Sequence, residues 1–286
     1  MKDRIDPLIE DRAPWLFADR PGTALARKVL DRALSYQRTV DIATALRDAP
    51  SATIMDEMFH LLGRNVTARG LHNIPSTGPA LVVANHPTGI ADGIILHGLL
   101  ARTRPDAFYF ANKDILSVMP QMEDMIAPVE WRKDRRSHGK TRETMAYMRR
   151  ALRDERLGVI FPSGRLAQRR GLQLHERPWM PSAAMLARKF DLPVIPVNIR
   201  ARNSVLFYLF DILHASLKDI TLFHETLNKA NQPFVVTVGE AIAPSALPET
   251  SEEGIEMLRR ATLALGEEGS QTVSLIKATR RPLLRF

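Results

Sequence analysis

One histidine and one aspartate carry the sharpest chemical signal in the chain. In Ala80-Leu-Val-Val-Ala-Asn85-His86-Pro87-Thr88-Gly89-Ile90-Ala91-Asp92-Gly93, an apolar run ends at Asn85 and the histidine follows at once. A short buried strand over 80–85 puts His86 at its C-terminal tip. Pro87 and Gly89 impose a turn, and Asp92 falls where a helix begins. Such a loop can bring the Asp92 carboxylate to one imidazole nitrogen, which fixes the tautomer and makes the other nitrogen more basic. The result is a general base able to take a proton from a hydroxyl. The same spacing also permits a plainer arrangement, in which Asp92 only caps the helix and His86 is a polar turn residue. Placement at a strand tip favours the catalytic pair.

The elements around this loop alternate. Strands are expected over 80–85, 107–111, 157–161, 194–199 and 234–238. Helices are expected over 92–102, 139–156, 182–190, most of 204–229, and 251–265. Strand and helix taking turns predict an α/β fold with a mostly parallel central sheet flanked by helices. Sites in such sheets lie outside the C-terminal strand ends, where His86 falls. Residues 1–65 read as helical, with Leu25, Val29, Leu30 and Ala33 spaced three and four apart and a Pro50-Ser51 break before a further helix. The expected organisation is a helical N-terminal extension over 1–65 and one catalytic domain over 66–286.

Composition narrows the chemistry further. The chain has 286 residues, 45% hydrophobic and 25% charged, which suits a folded protein with a sizeable core. It contains no cysteine, which excludes disulfides, thiolate metal sites and a cysteine nucleophile. Forty Lys and Arg against 32 Asp and Glu give a net charge of +8, suited to an anionic partner. The N-terminus lacks the apolar stretch of a secretory signal, and no run of 18 apolar residues occurs, so no transmembrane helix is expected. The remaining histidines form no His-Glu-x-x-His pair, and no metal site is predicted.

Asn-His-Pro-x-Gly-x-x-Asp-Gly resembles the 1-acylglycerol-3-phosphate (lysophospholipid) acyltransferase superfamily. Three more stretches agree in order. Gly70-Leu-His-Asn-Ile-Pro75-x-x-Gly78-Pro79 resembles the lead-in to the family's first strand. Phe161-Pro162-Ser163-Gly164-Arg165 is similar to its Phe-Pro-Glu-Gly-Thr-Arg block, and Leu192-Pro193-Val194-Ile195-Pro196-Val197 to its late Val-Pro-Val strand. Two departures carry information. Five residues separate His86 from Asp92 where the family usually has four. Together with Asn203-Ser204-x-Leu206-Phe207-Tyr208 and Leu227-Asn228-Lys229, this spacing resembles a bacterial branch of hemolysin-like or ornithine-lipid-type acyltransferases. In addition, Ser163 stands where the family has glutamate, in a block that helps bind the acceptor phosphate.

The resemblance implies transfer of a fatty acyl group from a thioester, acyl-CoA or acyl carrier protein, to a lipid hydroxyl. His86 is implied as base and Asp92 as its orienting partner, with no bound cofactor. The branch spacing and the missing glutamate favour a lyso-aminolipid of the ornithine type as acceptor; lysophosphatidate is the alternative. Arg165, with Gly164 and Ser163, is the candidate for the acceptor's headgroup. Lys113, and Arg132 in Glu130-Trp131-Arg132, are further candidates. The basic run over 132–142, residues 205–210 and the tail over 277–286 are candidates for anionic or bilayer surfaces. Gly139-Lys140-Thr141 is no phosphate loop, because position 134 is Asp and no strand leads in. The expected location is peripheral, on the cytoplasmic face of a bacterial inner membrane. A basic nucleic-acid-binding protein is the competing class, but few aromatics interleave with the basic run. A non-catalytic membrane-binding scaffold is another, against which the intact His86/Asp92 pair speaks.

Overall fold

The computed structural model of the chain describes residues 1–130, 138–266 and 272–275. Its helices are α1 (Lys2–Arg12), α2 (Thr23–Ala33), α3 (Tyr36–Ala45), α4 (Ser51–Leu62), α5 (Ile90–Leu100), α6 (Asp114–Val118), α7 (His138–Arg153), α8 (Ser182–Lys189), α9 (Val205–Leu213), α10 (Ala215–Glu225) and α11 (Ser251–Ala264). Its strands are β1 (Val66–Arg69), β2 (Ala80–Ala84), β3 (Phe108–Asn112), β4 (Ile126–Val129), β5 (Leu157–Ile160), β6 (Gln168–Arg170), β7 (Gln173–His175), β8 (Val194–Arg200), β9 (Phe234–Val238) and β10 (Thr272–Ser274).

Seven strands form the main sheet in the order β1-β9-β8-β2-β5-β3-β4. Every neighbouring pair is parallel except β8 with β9, so the expected mostly parallel α/β sheet is what the chain forms. Strand β2 lies at the centre, and all five of its residues are buried. That follows from its unbroken Ala-Leu-Val-Val-Ala run, because a central parallel strand is covered on both faces. Its side chains divide by the two-residue period. Ala80, Val82 and Ala84 join a core with residues of α1, α3, α4 and α5, while Leu81 and Val83 join a second core with α7, α8 and α11.

Register aligns the strand tips. Val83 pairs with Ile160 and with Pro196, and Tyr109 pairs with Val159. The residues following β2, β5, β3 and β8 therefore emerge on one sheet edge, which gathers His86, the 161–165 block and the 201–204 segment.

Several elements escaped the sequence pattern. Strand β4 carries Pro128, which a sheet tolerates on its outer strand, where β4 lies. Strand β1 is a half-buried edge strand with the mixed sequence Val-Thr-Ala-Arg. The small antiparallel sheet β10-β7-β6 consists of three-residue strands, too short to show a period. Residues 204–229, expected as largely helical, break at His214. There the backbone is extended, and Nδ1 accepts the Ser216 N–H to cap α10.

Candidate active site

The strand–turn–helix unit around His86 is locked by polar contacts at each end. The Asn85 side chain continues the β2–β8 ladder beyond the last strand residue: its amide donates to Ile199 O at 2.9 Å and its carbonyl accepts Ile199 N at 2.7 Å. His86 therefore leaves the sheet from a fixed point. Gly89 has φ +95, a conformation that residues with a Cβ rarely adopt, and it turns the chain into α5. Asp92 then accepts the Thr88 N–H at 2.9 Å, the Gly89 N–H at 3.0 Å and the Thr88 hydroxyl at 2.5 Å.

The same carboxylate reaches His86. Asp92 Oδ2 lies 3.0 Å from His86 Nδ1, with the Asp92 side chain fully buried and 18% of the His86 side chain exposed. The separation is that of an ion pair, but its direction falls short of a hydrogen bond, and Nδ1 has no other partner among the described residues. Alignment of such contacts often waits for substrate. Capping by Asp92 and contact with His86, the two arrangements that the spacing allows, thus occur together. The imidazole stacks on Phe161, with ring centroids 4.3 Å apart and planes at 26°. That contact joins the β2 and β5 tips.

A second carboxylate, which the sequence did not flag, lies behind the histidine. Glu176, buried just after β7, accepts the His86 N–H at 3.3 Å and the Trp179 Nε1–H at 2.9 Å. Burial pushes its carboxyl above the usual range, partly offset by Trp179, by the His86 main chain and charge, and by a hydrogen bond with the Ser163 side chain. The Ser163 hydroxyl, with one proton to donate, also lies 2.8 Å from Arg165 O. The side chain is thus engaged within the loop.

His86 opens onto a cavity of about 1530 Å³. Ile5, Leu8, Ile42, Ile54, Met55, Ile94 and Met122 are among its apolar lining, and Arg165, Arg169, Arg177 and Lys218 among its basic lining, with Asp211 and Asp219 also present. Of the headgroup candidates, Gly164 and the exposed Arg165 line it. Lys113 is exposed at the end of β3 and is not among the lining residues. Arg132 lies outside the described residues, as do most of the basic run and the 277–286 tail.

This geometry has counterparts among known proteins. The model of the Acyltransferase family matches residues 65–200. A lyso-glycine lipid O-acyltransferase of Phocaeicola vulgatus is 22% identical over 194 residues, covering 66% of this chain and 68% of the relative. One of Bacteroides thetaiotaomicron is 21% identical over 248 residues, covering 83% and 87%. The crystal structure of the 1-acyl-sn-glycerophosphate (LPA) acyltransferase PlsC from Thermotoga maritima has the same fold, with a TM-score of 0.51 at 14% identity over 84% of this chain and 95% of that one. The chain thus matches the Acyltransferase family over residues 65–200 and shares the fold of PlsC.

The matched stretch runs from just before β1 to the end of β8, and so contains His86, Asp92 and the 161–165 block. No helix among the described residues is long and apolar enough to cross a membrane.

Proposed function

We propose that the acyltransferase completes a two-chain aminolipid. It moves a fatty acyl group from a thioester to the free hydroxyl of an N-acylated amino acid. The observation that carries the reading is His86, held at a central strand tip with Asp92 behind it and a large, partly apolar cavity before it. In the reaction, Nε2 of His86 takes the proton of the acceptor hydroxyl as its oxygen attacks the thioester carbonyl. Asp92 steadies the imidazolium from the Nδ1 side. The C–O bond forms, the C–S bond breaks, and the departing thiolate, of coenzyme A or acyl carrier protein, receives the proton from His86. No acyl-enzyme is needed. The apolar lining of the cavity suits an acyl chain, and Arg165 in its basic lining suits an anionic headgroup.

The names of the two relatives favour a glycine-type headgroup over the ornithine type. A peripheral position on the cytoplasmic face of the membrane fits a lipid acceptor. It is supported by α9, which exposes Val205, Leu209, Ile212 and Leu213 on one face.

The test supplies purified protein with synthetic lyso-glycine lipid or lysophosphatidate, with acyl-CoA or acyl carrier protein thioester, and reads products by mass spectrometry. The expected product is the diacylated aminolipid. Its rate should fall about 10²- to 10⁴-fold in His86→Ala and substantially in Asp92→Asn. Transfer that survives His86→Ala would remove the base from the mechanism. Acylation of lysophosphatidate alone would replace the acceptor.

A further inference from the structure

We propose that Arg177 anchors the acceptor's anionic headgroup together with Arg165, a role that rests on the lysolipid reading above. Arg177 follows Glu176, so a single short segment turns a carboxyl group toward the His86 main chain and lines the cavity with an arginine. The guanidinium is tethered: its Nε–H donates to Leu166 O at 2.9 Å. The next residue, Ala167, donates its N–H to His86 O at 2.8 Å. The loop that fixes the base therefore also fixes the cation.

The tether uses Nε and leaves both Nη groups, whose four N–H bonds form the fork that meets paired anionic oxygens. No carboxylate pairs with Arg177 among the described residues. The neighbouring cations differ. Arg169 lies 3.7 Å and Lys218 3.0 Å from Asp211, so that carboxylate already faces two cations. Arg177 is also half-buried, where Arg165 is exposed. A pre-positioned, partly desolvated guanidinium loses less entropy and is screened less when it meets an anion. The chemistry recognised is a carboxylate of an acylated amino acid or the phosphate of a glycerolipid.

The test compares each anionic acceptor with a neutral counterpart: lyso-glycine lipid with its methyl ester, and lysophosphatidate with monoacylglycerol. For each pair the ratio of kcat/KM, anionic over neutral, is read in the wild type, Arg177→Ala and Arg177→Lys. A ratio within one preparation cancels any loss of folded protein. Arg177→Ala should lower the ratio for the carboxylate pair about 10- to 100-fold, mainly through KM, the worth of one charge-assisted contact. Arg177→Lys should keep part of it, since charge remains and the fork is lost. A wild-type ratio near one, or a ratio unchanged in Arg177→Ala, overturns the assignment. If the wild type acylates only the phosphate acceptor, the aminolipid reading fails by itself. Arg177 is then judged on the phosphate pair: a lowered ratio in Arg177→Ala supports the anchor and an unchanged one overturns it.

Discussion

Glu176 sets a titration against the fold at the residue scale. Its carboxyl is raised by burial, so the folded chain holds its proton at pH values where the unfolded chain has released it. A raised acid contributes stability that is fully present below the unfolded value and lost as pH rises through the folded one. Glu176→Gln keeps an acceptor for the His86 N–H and removes the titration. The melting temperature of the wild type should therefore fall relative to Glu176→Gln as pH rises from about 5 to about 8. Parallel melting curves across that range would show that burial does not perturb the carboxyl. The residue also marks how far the site was legible. His86 and Asp92 could be paired from sequence because six positions and two turn-forming residues bring them together. Glu176 and Arg177 reach the site from a segment about ninety positions away, and only the folded sheet shows the contact.

At the scale of elements, the joint between β8, α9 and α10 depends on a buried ion pair. Lys229 and Glu225 are paired with their side chains 0% and 1% exposed. Lys229 also donates to Asn203 Oδ1 at 2.7 Å, and Glu225 accepts Ser204 N at 2.9 Å and Asn228 Nδ2 at 3.1 Å. Burial pushes the Glu225 carboxyl up, but the charge and hydrogen bond of Lys229, together with the hydroxyl and N–H of Ser204, outweigh it, and the group sits below its usual range. The Asn203-Ser204 and Asn228-Lys229 pairs, visible in the sequence only as a resemblance, thus meet in one cluster. Removing one charge strands the other. Lys229→Met should cost about 3–5 kcal/mol in urea unfolding, and Lys229→Met with Glu225→Gln should recover much of that loss. A single variant that costs under about 1 kcal/mol would show the pair to be dispensable. This cluster was not readable beforehand because nothing local says that a lysine will be buried. Strands β2, β5, β8 and β9 were readable because apolar runs announce a covered sheet. Edge strand β1 carries no such run, and Pro128 interrupts the one in β4.

At the scale of the whole molecule, the helices ahead of the sheet share the cavity with it. Ile5 and Leu8 of α1, Ile42 and Ala43 of α3, and Ile54 and Met55 of α4 line the same space as His86. Residues 1–65 read as helical in the sequence, but an apolar helix face reads alike whether it covers a core or walls a cavity. The two uses separate on substitution. Ala43 is buried, lines the cavity, and lies in an element that supplies no part of the His86–Asp92 unit. Ala43→Phe fills space that an acyl chain would occupy and costs about 1–3 kcal/mol through overpacking. If α3 walls the chain, kcat/KM measured over a series of acyl thioesters should fall for long chains and hold for short ones, because only long chains extend to the blocked region. If α3 merely supports the sheet, every chain length should lose activity in proportion, following the lost stability. Chain-length preference is thus a property of the assembled helical layer, and the same assay shows whether residues 1–65 belong to the site or only to the core.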